Sequence, residues 1–230
     1  MAAKTIVIVP AAGSGARFGS ERNKVFYPLL GVPILARTLQ RLQASGYIDE
    51  IIPVFQEHDA KDGLDIIDRF GITKVKQTAP GGLRRQDSVY SALRLIRDED
   101  SVVVVHDAAR PLFTDALLRD SISSLQDCDG LVCAVAIKDT VKEVADGYVV
   151  ATLQRDRLMA VQTPQVFSYG TILEAYKKAA EEGLTFTDDT AVVERYGGRI
   201  KIITGEYGNI KITTRDDLAY AEWILTQQLI

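Results

Sequence analysis

Short apolar runs alternate along most of the chain with longer segments whose apolar residues recur three and four positions apart. The runs have the β-branched composition of strands covered on both faces, and they occupy residues 6–9, 51–55, 101–105, 131–136 and 200–204. The longer segments have helical periodicity and occupy residues 33–45, 61–70, 88–96, 114–125, 168–182, 188–196 and 215–229. This alternation predicts right-handed βαβ units and an α/β fold, with a mostly parallel, twisted sheet flanked by helices.

Three kinds of segment depart from this pattern. Residues 138–153 alternate around an Asp-Gly pair, which predicts a projecting β-hairpin arm; a lone hairpin is marginally stable, so we expect it to pack on a second copy of the chain. Pro164 cannot donate to a ladder, which predicts that part of residues 159–167 lies at an edge or forms a loop that carries Thr163 and Gln165. Short strands are predicted at 74–78 and 209–213. We interpret residues 1–230 as one domain, with 138–158 as an arm for dimerisation.

The composition and charge of the chain limit the kind of ligand that it can bind and indicate where in the cell it works. The chain has 230 residues, 47% of them hydrophobic, and a net charge of -4, enough for one well-buried α/β domain. It has no basic run, which favours a free nucleotide over a nucleic acid. Cys128 and Cys133 match no zinc, redox or disulfide pattern. No apolar segment reaches membrane-spanning length and no signal peptide is apparent, so we expect a cytoplasmic protein that does not bind membranes.

The first apolar run leads into a glycine-rich, cationic loop. Gly13 and Gly15 let a ligand approach the backbone, and Arg17 and Lys24 supply positive charge. The loop lacks the Gly-Lys-Ser/Thr ending of a Walker motif, and Phe18 stands where the dinucleotide fingerprint needs its third glycine. What remains is a site for a polyphosphate; the alternative is an ordinary tight turn with two solvated cations.

A second glycine-rich connection precedes the third predicted helix. Gly81, Gly82, Arg85 and Ser88 lie where a helix N-terminus offers free N–H groups, so they could receive the base, ribose or phosphates of a nucleotide. Asp87 or Ser88 is the predicted N-cap. The alternative is a plain capped helix with no ligand.

The third predicted site lies after the strand at 101–105. Asp107 should face the same crevice as the glycine-rich loops, because ligands of parallel sheets bind beyond the carboxyl ends of the strands. Beside a polyphosphate, its carboxylate is a natural Mg²⁺ ligand, although other divalent cations also fit. We interpret His106 as a packing residue and Arg110 as a holder of a second anion. Lys211 lies between apolar neighbours and should point at an anion, unless it is an exposed lysine of an edge strand.

These groups suit phosphoryl or nucleotidyl transfer, in which catalysis is mostly positioning and charge neutralisation. A Ser-His-Asp arrangement, a nucleophilic cysteine and a histidine metal cluster are missing from the sequence. The pair Asp188-Asp189 is explained by helix capping rather than by acid–base chemistry.

Six motifs together carry a resemblance to a known family. They are Pro10-Ala11-Ala12-Gly13-Ser14-Gly15-Ala16-Arg17, Gly81-Gly82 with Arg85 and Ser88, His106-Asp107-Ala108-Ala109-Arg110-Pro111, Thr163-Pro164-Gln165, Thr187-Asp188 and Asn209-Ile210-Lys211. The chain resembles the 2-C-methyl-D-erythritol 4-phosphate cytidylyltransferases of the non-mevalonate isoprenoid pathway almost from end to end. The resemblance implies a Rossmann-like nucleotidyltransferase domain that converts CTP and the polyol phosphate into the CDP-alcohol and pyrophosphate.

The resemblance also implies roles for individual residues. Catalytic charges would come from Arg17, Lys24 and Lys211. Nucleotide contacts would come from Pro10, Ala11, Ala12, Gly13, Gly15, Gly81, Gly82, Arg85, Ser88 and Ala108. Substrate contacts would come from Asp107, Arg110, Thr140, Arg155, Thr163 and Thr187, with Asp107 also binding Mg²⁺. In the family the arm is exchanged between two subunits, so Thr140 and Arg155 would complete the partner's site.

The chain departs from the family pattern at two places. Relatives commonly have Pro-Lys-Gln where this chain has Asn23-Lys24-Val25, and often have an acidic residue at the position of Leu83. Two other functions stay open at this point. One is a ribitol 5-phosphate cytidylyltransferase, which would share the CTP half of the site; the other is a non-catalytic sensor of CTP.

Overall fold

The computed structural model describes residues 3–13, 15, 18–19 and 22–227. Its strands are β1 Thr5–Pro10, β2 Pro28–Leu29, β3 Val32–Pro33, β4 Glu50–Phe55, β5 Ala79–Pro80, β6 Val102–Val105, β7 Gly130–Ala136, β8 Lys142–Ala145, β9 Tyr148–Thr152, β10 Met159–Ser168 and β11 Ile200–Thr204. Its helices are α1 Ile34–Ala44, α2 Ala60–Arg69, α3 Arg85–Leu93, α4 Asp115–Ser123, α5 Tyr169–Glu181, α6 Asp189–Arg195 and α7 Arg215–Thr226. Each helix predicted from periodicity is present, within a few residues of its predicted ends.

Within the described residues, seven strands form one sheet in the order β11-β7-β10-β6-β1-β4-β5. β10 runs antiparallel to both of its neighbours, β6 and β7, whereas the other pairs are parallel. The predicted mostly parallel sheet is therefore confirmed. The carboxyl ends of β1, β4, β5 and β6 meet at one edge, where connecting loops of parallel sheets bind ligands.

Helices cover both faces of this sheet because successive side chains of a buried strand point to opposite sides. In β1, Val7 and Val9 pack in a cluster with α1, α2 and α4. Ile6 and Ile8 pack in a second cluster with α3, α5 and α6. A third, smaller cluster joins α7 to the turn around Leu29. The apolar run of β1 is thus continuous because both of its faces are buried.

The position predicted for β10 was wrong. This strand lies in the interior of the sheet, between β6 and β7, and not at an edge or in a loop. The ladder with β7 shifts its register between Val161 and Gln165, at the place where Pro164 has no N–H to donate. A local irregularity therefore accommodates the proline inside a central strand.

Two other strand predictions were also wrong. Residues 74–78 contribute only an isolated bridge between Ile51 and Val75, before the two-residue strand β5. Residues 209–213 form no strand, although the N–H of Ile212 donates to the carbonyl oxygen of Ala109 at 2.9 Å. This one backbone hydrogen bond places the segment beside the turn after β6 but does not add a strand to the sheet.

The predicted hairpin is confirmed as β8 and β9, which form a separate two-stranded sheet. Its turn is Asp146-Gly147, and both residues have positive φ, 50° and 83°, as hairpin turns of this length require. The arm carries large apolar side chains that are exposed in the monomer, namely Val144, Tyr148, Val149, Val150 and Leu153. No described helix is long and apolar enough to cross a membrane.

Candidate active site

A cavity of about 580 Å³ opens at the carboxyl edge of the sheet, between the ends of β1, β4 and β6 and the start of α3. Both glycine-rich loops and the predicted lysines contribute to its wall. It is lined by Pro10, Ala11, Ala12, Gly13, Gly15, Asn23, Lys24, Val25, Gln56, His58, Asp59, Gly82, Leu83, Arg84, Arg85, Ser88, Asp107, Ala109, Lys211 and Thr213. Residues from four separate predicted motifs therefore share one cavity.

The first glycine-rich loop leaves β1 at the floor of this cavity. The N–H of Ala11 donates to the carbonyl oxygen of Val54 at 3.0 Å, which continues the pairing of β1 with β4 for one residue. Gly15 has φ +66°, and a Cβ there would lie 3.1 Å from the backbone nitrogen of Lys24. The loop therefore packs closely on the turn that carries Lys24. Arg17, predicted as a catalytic cation, lies outside the described residues, as do Ser14 and Ala16.

The second loop packs against the first one. A Cβ on Gly81 would lie 2.6 Å from the Cβ of Ala12, so a larger residue would push the loops apart. The Gln56 amide bridges the two loops by donating to the carbonyl oxygens of Gly82 at 2.8 Å and of Ala12 at 3.3 Å. Sequence reasoning missed Gln56, although its place directly after β4 follows the same strand-end rule that located the other residues.

The start of α3 differs from its prediction. Asp87 and Ser88 are not the N-cap; Arg84 is, and Asp87 is the third helical residue of a capping box. The buried Ser88 hydroxyl accepts from the N–H of Gly82 at 3.0 Å and donates to the carbonyl oxygen of Arg84 at 3.2 Å. Ser88 therefore fixes the shape of the second loop. Gly81 does not line the cavity, and its N–H donates to the carbonyl oxygen of Phe55.

Three cations surround the carboxylate of Asp107. Lys211 Nζ lies 2.8 Å from Oδ2, Arg85 Nε lies 3.3 Å from Oδ1, and Arg110 Nε lies 3.6 Å from Oδ2. Burial alone raises the pKa of Asp107, but the charges of Arg85, Lys211 and Arg110 outweigh it and hold that pKa well below its ordinary value. The anion that Lys211 was predicted to face is, in this structure, the carboxylate of Asp107.

Arg85 also pairs with a second carboxylate, that of the fully buried Asp189. Its Nη2 donates to Oδ2 of Asp189 at 2.7 Å, and the hydroxyl of Tyr176 donates to Oδ1 at 2.6 Å. The capping interpretation holds for Asp188, which accepts from the N–H of Ala191 at 3.0 Å. It was wrong for Asp189, whose side chain pairs with Arg85. An N-terminal helix position gave no sign of this long-range pair.

A second buried network fixes the backbone at Asp107. The N–H of Asp107 donates to Thr163 Oγ1 at 3.0 Å, and this hydroxyl lies 3.2 Å from His106 Nδ1. His106 Nε2 lies 3.0 Å from the carbonyl oxygen of Arg110, which can only accept, so Nε2 carries the proton and Nδ1 accepts from Thr163. Burial lowers the pKa of His106 to about 4. His106 is therefore a neutral packing and hydrogen-bonding residue, as predicted.

Several predicted contact residues lie away from the cavity wall. Ala108 is buried, and its carbonyl oxygen accepts from the Thr38 hydroxyl at 2.8 Å, so its neighbour Ala109 lines the cavity instead. Thr163 and Arg110 lie behind Asp107; Arg110 Nη1 donates to the carbonyl oxygen of Asn209 at 2.7 Å. The remaining three are exposed and lie apart from this cavity, namely Thr140, Arg155 and Thr187.

The described residues contain no group of three or more metal-ligating His, Cys, Asp or Glu side chains. Asp107 and Asp59 are the described carboxylates that line the cavity, and the cationic neighbours of Asp107 keep it ionised. A Mg²⁺ ion that arrives with a polyphosphate needs only one or two protein carboxylates, because phosphates and water supply its other ligands. The residues present therefore fit a divalent ion shared with a bound nucleotide, and do not form a self-sufficient metal site.

Comparisons with known proteins agree over nearly the whole chain. The model of the family described as 2-C-methyl-D-erythritol 4-phosphate cytidylyltransferase matches residues 5–227. The enzyme of that name from Bacillus cytotoxicus is 40% identical over 222 residues, which cover 96% of this chain and 98% of the relative.

Solved structures give the same result. The 4-diphosphocytidyl-2C-methyl-D-erythritol synthase of Anaerococcus prevotii has a TM-score of 0.84 at 30% identity, covering 97% of this chain and 96% of its own. The 2-C-methyl-D-erythritol 4-phosphate cytidylyltransferase of Francisella tularensis has a TM-score of 0.83 at 32% identity, covering 96% and 99%. By sequence and by fold, the chain belongs to the 2-C-methyl-D-erythritol 4-phosphate cytidylyltransferase family.

Proposed function

We propose that this protein transfers CMP from CTP to 2-C-methyl-D-erythritol 4-phosphate, releasing pyrophosphate and forming 4-diphosphocytidyl-2-C-methyl-D-erythritol in isoprenoid precursor biosynthesis. Membership of the family supports the reaction. The observation that carries the proposal is the cavity where two glycine-rich loops, Lys24 and Lys211 surround the ionised carboxylate of Asp107. A triphosphate requires such a combination of backbone donors and fixed cations.

The residues divide into two roles in this proposal. The two glycine-rich loops, which line the cavity at Ala12 and Gly82, bind the nucleotide through backbone groups. Lys24 and Lys211, with Arg17, stabilise the charge that grows on the α-phosphate as the phosphate oxygen of the polyol attacks in line and the oxygen of pyrophosphate leaves. Preorganised cations in a partly dry cavity act most strongly on that charge.

Asp107 is the proposed protein ligand of Mg²⁺, which when bound would neutralise phosphate charge and help to orient the triphosphate. Arg85 and Arg110 keep this carboxylate ionised and fixed. Thr163 orients the backbone of Asp107 and so shapes the site from behind. These contacts support a division in which the arginines hold the carboxylate and the lysines face the reacting phosphates.

We further propose that a second copy of the chain completes the polyol end of the site. The arm, β8 and β9, exposes apolar side chains that a partner would cover, among them Tyr148, 79% exposed. Thr140 and Arg155 lie at its base, away from the cavity of their own chain. They would then bind substrate phosphate in the partner's site, together with that site's Thr187, while Arg110 stays paired with Asp107.

The reaction is tested by pyrophosphate release from CTP and Mg²⁺ with each of two alcohol phosphates. Preferred turnover of methylerythritol phosphate is the expected result. Preference for ribitol 5-phosphate would overturn the substrate assignment. Tight CTP binding without release from either alcohol would favour the non-catalytic sensor. The names of the relatives described above favour the methylerythritol substrate.

The arm is tested by deleting residues 141–153. The N–H of Leu153 donates to the carbonyl oxygen of Val141 at 3.0 Å, so the two ends of the deletion already lie side by side and can be joined. We expect a folded monomer without activity, measured by light scattering and pyrophosphate release. An active monomer would refute the proposal that the arm builds the partner's site.

We also propose that the protein lies in the cytoplasm, where CTP is available. Cell fractionation tests this location.

A further inference from the structure

The side chain of Asn23, the residue before Lys24, is buried and has its hydrogen-bonding groups engaged. Its Nδ2 donates to the carbonyl oxygen of Ala11 at 2.6 Å and to Oδ2 of Asp59 at 2.9 Å. Its Oδ1 accepts from the N–H of Val25 at 3.3 Å. Because the oxygens of Ala11 and Asp59 face its nitrogen, the amide can take only one orientation.

These contacts join three separate walls of the cavity. Ala11 begins the loop after β1, Val25 belongs to a one-turn 3-10 helix at Lys24–Phe26, and Asp59 directly precedes α2. Ala11, Lys24 and Asp59 all line the cavity. One side chain therefore links the turn that carries Lys24 both to the phosphate-facing loop and to a helix fixed in the core.

Asp59 is a firm anchor for this link. Its side chain is buried, its N–H donates to the carbonyl oxygen of Gln56 at 3.0 Å, and its Oδ1 lies 3.7 Å from His58 Nε2. A buried carboxylate without a hydrogen-bond donor is costly. The amide of Asn23 satisfies it, so the pair has reason to stay formed.

We propose that Asn23 is a positioning residue, which holds Lys24 at a fixed distance from the loop after β1. The inference rests on the proposed function, in which Lys24 stabilises charge on the transferring phosphate. Asn23 acts through the lysine: it sets the turn from which the ammonium reaches the phosphates. A displacement of about 1 Å in such a group can cost a factor of about 100 in rate.

The test uses Asn23→Asp, which keeps the size of the side chain and replaces the donor with an oxygen facing two other oxygens. We expect a 10- to 100-fold fall in kcat, with a smaller change in the KM for CTP. Lys24→Ala alone should lower kcat about 100-fold or more. In the Lys24→Ala background, Asn23→Asp should lower kcat less than twofold further, because the group that it positions is already absent.

Two further variants separate positioning from stability. The double variant Asn23→Asp with Asp59→Asn restores a donor and an acceptor between the two positions at unchanged net charge, and should recover part of the lost kcat. Thr114→Ala is the matched control: Thr114 accepts from the N–H of Leu117 at 3.0 Å as the cap of α4, away from the cavity. It should lower the melting temperature while kcat stays within twofold.

The proposal would be overturned if Asn23→Asp left kcat unchanged. It would also be overturned if Asn23→Asp lowered kcat by the same factor in the wild type and in the Lys24→Ala background. Hydrogen exchange of the backbone amides of residues 24–27 gives a readout that needs no activity, and it should speed up about tenfold in Asn23→Asp. If the wild-type protein turned over no CTP, the proposed function would fail. Unchanged exchange rates would separately refute the tether.

Discussion

Lys211→Met separates the proposed catalytic role of this lysine from its structural role. Methionine is unbranched and neutral, so the substitution removes the charge and keeps most of the packing. In the free protein, Lys211 Nζ lies 2.8 Å from Asp107 Oδ2, and the lysine side chain is 37% exposed. Because Arg85 and Arg110 also face this carboxylate, Asp107 remains paired when the lysine is lost.

The two expected effects differ in size. Ion pairs with a solvent-exposed partner contribute about 1 kcal/mol or less to stability, so the melting temperature should fall by about 2–4 °C. Loss of a cation that stabilises a transition state costs about 100-fold or more in kcat, which corresponds to about 3 kcal/mol. Activity should therefore fall far more than stability does.

Initial rates of pyrophosphate release, measured with CTP, methylerythritol phosphate and Mg²⁺, give kcat and both KM values for the variant. Lys201→Met is the matched control, because Lys201 is an exposed lysine of strand β11 outside the cavity; we expect its kcat to equal that of the wild type. A kcat within threefold of wild type in Lys211→Met would show that the lysine only pairs with Asp107.

Three other predictions test separate parts of the structure. Gly81→Ala should raise the KM for CTP about tenfold in the same assay, because its Cβ would come 2.6 Å from that of Ala12 and separate the two loops. Asp189→Asn should lower the free energy of unfolding in urea by about 3 kcal/mol, since it breaks a buried ion pair; a loss below about 1 kcal/mol would contradict the pairing. Burial raises the pKa of the Cys133 thiol to about 12, so iodoacetamide at pH 8 should label Cys128 and leave Cys133 intact by mass spectrometry.

The order of strands and helices follows from hydrophobic periodicity because nearly every element buries a face. Thus β1 reads as a continuous apolar run because it is covered on both sides, and α1 reads as an amphipathic stripe. β10 is the exception: residues 162–167 are buried like those of β1, but Pro164 interrupts the pattern, and the sheet accommodates it through a register shift. A proline removes one hydrogen bond of the ladder, whereas the prediction took the residues around Pro164 out of the interior of the sheet altogether.

The location of the candidate site could be predicted from one geometric rule, that ligands of parallel sheets bind beyond the carboxyl ends of the strands. Parallel strands end at one edge, so loops after β1, β4 and β6 had to meet, and Asp107 follows from that rule. The buried partner of Arg85 did not follow, because Asp189 is 104 residues further along the chain and its neighbours in sequence show only a helix start. Long-range pairing depends on how α3 and α6 pack, which periodicity leaves open.

Three cations pair with Asp107 in the structure, and the other contacts of each cation indicate which one can leave. Arg85 is tied to Asp189, and Arg110 to the carbonyl oxygen of Asn209, so both keep a second partner if they release Asp107. Lys211 is more exposed than either arginine. It can therefore turn to an incoming phosphate while the arginines hold Asp107 in place. We expect this exchange to cost little free energy, because Asp107 still faces two arginines when the lysine leaves, so an anion could bind without a rearrangement of the residues around Asp107.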